Sequence, residues 1–109
     1  PGLLIVDHGT RSEDANVKLA AFAQNVAAKR PGWLVEHAHM ELAEPSFDQG
    51  VEALVGAGAR EIFVHLHFLG AGFHVRESIP KLMSQARAKH NVQMISGMNR
   101  HPYPEAAGR

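Results

Sequence analysis

Short apolar runs alternate with helix-length segments along this chain, and that alternation restricts the fold more than any other feature of the sequence. The apolar runs cover residues 3–6, 33–41, 61–69 and 92–98. The segments between them, residues 12–30, 45–58 and 77–90, carry helical spacing or helix-capping residues. The order βαβαβαβ with short connections predicts a parallel sheet with helices on both faces and right-handed crossovers.

We therefore predict one domain of the α/β class, a three-layer α/β/α unit with a four-stranded parallel sheet, over residues 1–109. A chain of 109 residues with 45% hydrophobic content can build one core and is too short for two ordinary domains. Ser12 is predicted to cap the first helix, Pro45 or Ser46 to open the second, and Pro80 to lie in the first turn of the third. Residues 98–109 are rich in helix and strand breakers and predict an irregular tail.

Composition excludes several kinds of site and partner. Lys plus Arg and Asp plus Glu number 11 each, so no net charge draws the chain to nucleic acid or to an acidic membrane surface. The chain has no cysteine, which leaves imidazole and carboxylate as metal ligands, and it has eight histidines. Because no apolar run approaches the roughly 18 residues of a membrane span, we expect a cytoplasmic protein.

Chemically active side chains follow the predicted strands. His8, Glu41 and His74 come after the first, second and third strands. The carboxyl ends of parallel strands meet at one edge of the sheet, so we expect these three to converge as ligands of a divalent metal and as proton acceptors. Further candidates surround them in the adjoining turns: Gly9 for close backbone approach, Thr10 and Arg11 for an anion, and Gly70 and Gly72 for room beside a large flat ligand.

Four other histidines lie within the strand segments. His37 and His39 share one face of the second strand, and His65 and His67 share one face of the third. For His37, His39 and His65 we favour packed interior positions or a subunit contact. His67, nearest the carboxyl end of its strand, is the additional candidate for the metal site.

Three motifs in order, "HGTR" at 8–11, "ELAEPS" at 41–46 and "FLGAGFHVRESIP" at 68–80, make this sequence resemble the small sirohydrochlorin chelatases, the CbiX/SirB-type class II tetrapyrrole chelatases. The resemblance implies a chelatase-like (flavodoxin-like) domain that inserts a divalent metal into sirohydrochlorin without ATP. It implies that His8 and His74 carry the metal and proton chemistry, with Glu41 at the acidic position. The sequence departs from the family pattern at Leu66, Phe73 and Ser78, where proline, a basic residue and an acidic residue are common.

The resemblance also implies a homodimer and no nucleotide, and a Walker-type glycine loop is missing from the sequence. Arg11, Thr10 and Arg76 are then the groups expected to hold the carboxylates of the macrocycle. Cobalt, for cobalamin biosynthesis, is the favoured metal, with iron, for siroheme, and nickel as alternatives. Two other functions stay open. One is a metal-binding or metal-delivery module, and the other is a phosphohistidine phosphatase, which Asp7 disfavours because an acid there would repel the phosphate.

Overall fold

The computed structural model of the chain describes residues 1–67 and 73–96, with the backbone alone for residues 73–76. The elements alternate as predicted: β1 (Gly2–Asp7), α1 (Glu13–Lys29), β2 (Leu34–His39), α2 (Phe47–Gly56), β3 (Glu61–Leu66), α3 (Phe73–His90) and β4 (Gln93–Ser96). The predicted caps are confirmed, because the Ser12 hydroxyl accepts a hydrogen bond from the Ala15 N–H and Ser46 forms a capping box with Gln49. The predicted tail, 98–109, lies outside the described residues.

Two predicted boundaries are wrong. β2 ends at His39, so Glu41 does not close the strand but lies two residues beyond it. α3 begins at Phe73, which puts Pro80 inside the helix and not in its first turn. A proline there removes one backbone hydrogen bond, at a cost of about 3 kcal/mol. The helix persists because neighbouring side chains, Ile79 and Met83, are fully buried against the sheet.

The strands form one parallel sheet in the order β2-β1-β3-β4. The chain passes from β1 outward to β2 and then returns across β1 to β3. Right-handed crossovers in opposite directions place their helices on opposite faces of the sheet, so α1 covers one face, and α2 and α3 cover the other. The direction of winding changes beside β1, and at such a switch point the loops after the strands spread apart and leave a crevice.

Side chains alternate between two apolar clusters on the two faces. Leu4 and Val6 point toward α2 and α3, where fourteen buried residues form the main core. Ile5 points toward α1, where only Leu19 and Ala23 are buried with it. The three-layer α/β/α prediction is thus confirmed. None of the described helices is long and apolar enough to cross a membrane.

Candidate active site at the carboxyl ends of the strands

His8 and Glu41 lie side by side just beyond the ends of β1 and β2. The Nε2 atom of His8 is 3.7 Å from Oε2 of Glu41, and both side chains are 46% exposed. Two ligands on one tetrahedral divalent ion stand roughly 3.3 Å apart, given metal–ligand bonds of about 2.0–2.2 Å. The separation of this imidazole and this carboxylate is therefore close to that of two ligands on one ion, and both groups are open to solvent.

Backbone contacts fix the two loops that carry this pair. The Met40 N–H donates to the Asp7 carbonyl at 3.0 Å and the Glu41 N–H donates to the His8 carbonyl at 3.1 Å, which extends the β1–β2 pairing beyond the strands. Gly9 has a φ of +97°. A Cβ atom at Gly9 would lie 1.8 Å from the Glu41 carbonyl oxygen, so only glycine permits this approach.

Thr10 and Arg11 lead from His8 into α1. The Thr10 hydroxyl oxygen accepts a hydrogen bond from the Ser12 N–H at 3.2 Å, and its carbonyl accepts one from Asn16 Nδ2 at 2.8 Å. Thr10 therefore shapes the start of the helix, and its hydroxyl proton is still able to donate. Arg11 is exposed and lines an open depression together with Thr10, His39 and Glu44. A guanidinium in such a place can reach a carboxylate that arrives from solvent.

Asp7 and His39 form a pair for which the sequence analysis assigned no function. Oδ1 of Asp7 lies 2.5 Å from Nδ1 of His39, whose side chain is 1% exposed. The two residues are direct partners in the register of β1 with β2. His39 is thus a packed interior histidine, as predicted. The register of β1 with β2, which the sequence alone does not show, makes Asp7 its partner.

The other strand histidines lie on the α1 face of the sheet. The His67 ring stacks on Phe22 of α1 with 4.5 Å between centroids, and it lies 6.2 Å from the His65 ring. His65 is exposed at an open apolar groove, so of the two predicted positions for it, the interior one is wrong. Burial lowers the pKa of His37, and the His39 imidazole acts in the same direction, against Glu36 and Asp7. Partial burial lowers the pKa of His65, with His67 acting in the same direction.

The remaining predicted site residues fall where side chains are not described. His74 lies in the first turn of α3 by its backbone, not in a loop, and Arg76 follows in the same turn. Gly70 and Gly72 lie outside the described residues. Among the side chains that the structure describes, no group of three or more histidine and carboxylate residues could hold a metal ion. His8 and Glu41 are therefore a pair, and the start of α3 is the predicted source of a third ligand.

The family model CbiX matches residues 2–104 of the chain. The chain belongs to the CbiX family. This CbiX chain is 40% identical over 85 residues to the chloroplastic sirohydrochlorin ferrochelatase of Arabidopsis thaliana, a match that covers 78% of the chain and 38% of that enzyme. It is 32% identical over 88 residues to the sirohydrochlorin cobaltochelatase of Methanocaldococcus jannaschii, covering 81% of the chain and 62% of that enzyme. In both matches the chain spans less than two thirds of the relative's length.

A solved structure of a related enzyme agrees with the fold of this CbiX chain. The sirohydrochlorin chelatase SirB from Bacillus subtilis subspecies spizizenii, in complex with cobalt, superposes with a TM-score of 0.79 at 29% identity. The match covers 87% of the chain and 41% of SirB. The chelatase-like fold that the motifs implied is thus confirmed.

Proposed function

We propose that this CbiX-family chain is a sirohydrochlorin chelatase, which inserts a divalent metal into the tetrapyrrole without a nucleotide. The observation that supports this most directly is the exposed His8–Glu41 pair, 3.7 Å apart at the carboxyl ends of the strands. Relatives named as sirohydrochlorin ferrochelatase and cobaltochelatase support the substrate.

Metal insertion requires a partly desolvated cation, a ring whose pyrrole nitrogens face it, and removal of two pyrrole N–H protons. His8 supplies a neutral imidazole to the cation, and Glu41 supplies a negative ligand. His74, at the start of α3, is assigned the third ligand position. After the nitrogens of the ring take over the metal, the released imidazole and carboxylate can accept the pyrrole protons. Arg11, Thr10 and Arg76 hold the ring's carboxylates in this scheme.

Cobalt is the metal that we assign first, with Fe²⁺ as the alternative and Ni²⁺ as the third choice. The Arabidopsis relative, named as a ferrochelatase, supports iron, while the archaeal relative supports cobalt. Affinity alone does not choose, because imidazole and carboxylate bind the later first-row metals more tightly in any case. We further propose a homodimer, because one domain of this size offers a shallow edge to a large macrocycle, and a cytoplasmic location.

The test follows the absorption of sirohydrochlorin as the purified chain is added with Co²⁺, Fe²⁺ or Ni²⁺. We expect acceleration over the spontaneous rate, and the relative rates show which of the three metals the chain inserts fastest. His8→Ala and Glu41→Gln should each slow insertion by about 100-fold, because each removes a ligand and a proton acceptor.

The control is Glu52→Gln, the same chemical change at an exposed carboxylate on α2, which should leave the rate unchanged. A chain that binds metal but accelerates insertion of none of the three would contradict the chelatase and favour metal delivery. Equal loss in Glu41→Gln and Glu52→Gln would remove Glu41 from the mechanism.

A further inference from the structure

The Asp7–His39 pair is unusual within the interior of this protein. Among the described residues, His39 and Ser96 are the only buried polar or charged residues, each 1% exposed. Asp7 is 20% exposed and contacts the buried ring with an Oδ1–Nδ1 distance of 2.5 Å. A buried ionic or polar pair contributes little net stability compared with apolar residues of similar volume, because the groups lose their hydration. Stability alone is therefore a weak reason for this pair.

The position of the pair relates it to the candidate site. Asp7 immediately precedes His8, and His39 lies two residues before Glu41. The two side chains face each other across the last register position of β1 and β2. They join the two strands at the level where the chain leaves the sheet toward the His8–Glu41 pair.

β2 needs such a contact because it is an outer strand of the sheet, with β1 as its neighbour on one side only. On its other side, the His39 N–H donates to the Pro45 carbonyl at 2.8 Å, within the loop that carries Glu41. That bond attaches the loop to β2 but not to β1. Against β1, backbone bonds at Met40 and Glu41 hold the loop, and the Asp7–His39 pair is the side-chain contact that adds to them.

The His39 side chain also supports the turn after His8. A Cβ atom at Gly9 would lie 3.2 Å from the Cβ of His39, so the turn rests closely on this residue. The imidazole itself contacts Asp7, the residue before His8, so a shift of the ring would reach the loop of His8 through Asp7 and the loop of Glu41 through the backbone.

We infer that Asp7 and His39 are positioning residues, whose side-chain pair sets the separation of His8 and Glu41 for the incoming divalent cation. The inference deepens the proposed function and rests on it. Neither residue touches the cation or the ring. Outer groups that orient metal ligands typically change metal affinity by 10- to 100-fold when they are removed.

The experiment measures Co²⁺ binding to the chain without tetrapyrrole, by titration calorimetry and by the visible absorption of the bound ion, which reports its coordination geometry. His39→Leu removes the ring nitrogens and keeps an apolar side chain. We expect Co²⁺ affinity to fall by about 10- to 100-fold and the visible spectrum to change. The urea midpoint should fall, because Asp7, which is 20% exposed, loses its hydrogen-bond partner. The titrations are therefore made without urea, on variants whose circular dichroism matches that of the unaltered chain.

His39→Asn supplies the rescue, since the asparagine Nδ2 can take the place of the histidine Nδ1 and donate to Asp7. It should recover most of the affinity that His39→Leu loses. His37→Leu is the matched control, because His37 is the previous residue on the same face of β2 and has no hydrogen bond to Asp7 in the described structure. It should bind Co²⁺ as the unaltered chain does.

A double-mutant cycle of Asp7→Ala with His39→Leu checks that the two residues act together. We expect the double variant to bind Co²⁺ about as well as either single variant. Additive losses, unchanged affinity in His39→Leu, no recovery in His39→Asn, or no Co²⁺ binding by the unaltered chain would each overturn the inference. Chelation is measured separately, so a chain that binds Co²⁺ with the expected variant pattern but inserts no metal overturns the proposed function alone.

Discussion

The two faces of the sheet differ in how many apolar residues are buried against them. On the face covered by α2 and α3, fourteen buried residues, all of them apolar, form one continuous cluster. On the face covered by α1, three residues are buried in the corresponding cluster. That second face also carries three strand histidines, His37, His39 and His65, and His67 just beyond the end of β3. The face covered by α2 and α3 accounts for most of the buried apolar residues. The face covered by α1 can therefore carry polar groups at the carboxyl ends of the strands.

The α1 face also has open space among the described residues. A groove of about 520 Å³ runs along β1 and β3, lined by apolar residues that include Leu3, Phe22, Trp33 and Phe63. The Trp33 and Phe63 rings lie 5.6 Å apart, and Phe22 remains 36% exposed. Packing on this face is loose in the described residues, so substitutions there should cost less than equivalent ones on the α2/α3 face.

The sharpest test of this difference removes the same atoms from each face. Leu54 on α2 is 1% exposed in the main cluster, and Leu54→Ala should lower the free energy of unfolding by about 2–5 kcal/mol because it leaves a closed cavity. Leu3 lines the open groove, and Leu3→Ala should cost less than about 2 kcal/mol because water or neighbouring side chains fill the space. Urea denaturation measures both. Equal losses would mean that the groove is closed in solution.

Gly50 marks where α2 approaches the sheet most closely. A Cβ atom there would lie 2.7 Å from Cδ1 of Leu4 and 3.1 Å from the Cβ of Ala38. Gly50→Ala should therefore lower stability by about 1–3 kcal/mol, less the gain of up to about 1 kcal/mol in helix propensity. Gly56→Ala, in the last position of the same helix with nothing within 4 Å, should raise stability by up to about 1 kcal/mol. Stabilisation by both variants would show that the α2/α3 face has spare room.

Two histidines of the α1 face, His37 and His65, should make stability depend on pH. The pKa values of His37 and His65 lie below the ordinary value of 6.5 in the folded chain, chiefly because of burial. Between 6.5 and the lower folded pKa, the unfolded chain binds more protons than the folded one, so stability falls as the pH drops below 6.5 and is fully present above it. The doubly substituted chain, His37→Gln with His65→Gln, should show a flatter profile of thermal midpoint between pH 7.5 and pH 5. An unchanged profile would assign the pH dependence to other groups.

The smallest effect is expected from the ion pairs that join α2 to α3 at their exposed ends. Asp48 Oδ2 lies 2.8 Å from Lys89 Nζ, and Oδ1 lies 3.2 Å from His90 Nε2. Hydrogen bonds from Lys89 and then His90 lower the pKa of Asp48 below 3.8, so this contribution is present above pH 3.8 and is lost as the pH falls through the lower folded value. Asp48→Asn should shift the urea midpoint slightly at low ionic strength and not in 1 M salt, because surface pairs are screened. A large, salt-independent loss would instead point to packing.

The sequence predicted the order of the elements and the face that each histidine shares, because these depend on local periodicity. It failed where contacts between strands decide the outcome. β2 ends at His39, and two bonds to β1 continue beyond it before the chain turns at Leu42, which has a φ of 68°. The sequence predicts a start of α3 at residue 77, because proline is typical of the first turn of a helix, whereas the helix begins at Phe73.

The sequence also predicted part of the candidate site. His8 and Glu41 meet as expected, because the carboxyl ends of neighbouring parallel strands adjoin. The Asp7–His39 pair was missed, since its two residues become neighbours only through the register of β1 with β2. Period-2 alternation within one strand carries no information about that register.

The loop bond from His39 to Pro45 has a consequence for how the chain behaves at high concentration. Outer strands expose backbone groups that can recruit strands of other molecules and begin aggregation. Here the bond to Pro45, with an isolated bridge to Ser46, occupies the outer rim of β2 at its end. The opposite outer strand, β4, is only four residues long in the described structure. An added strand would therefore find the outer rim of β2 already occupied at its last residue, and at β4 it would find a rim of four residues.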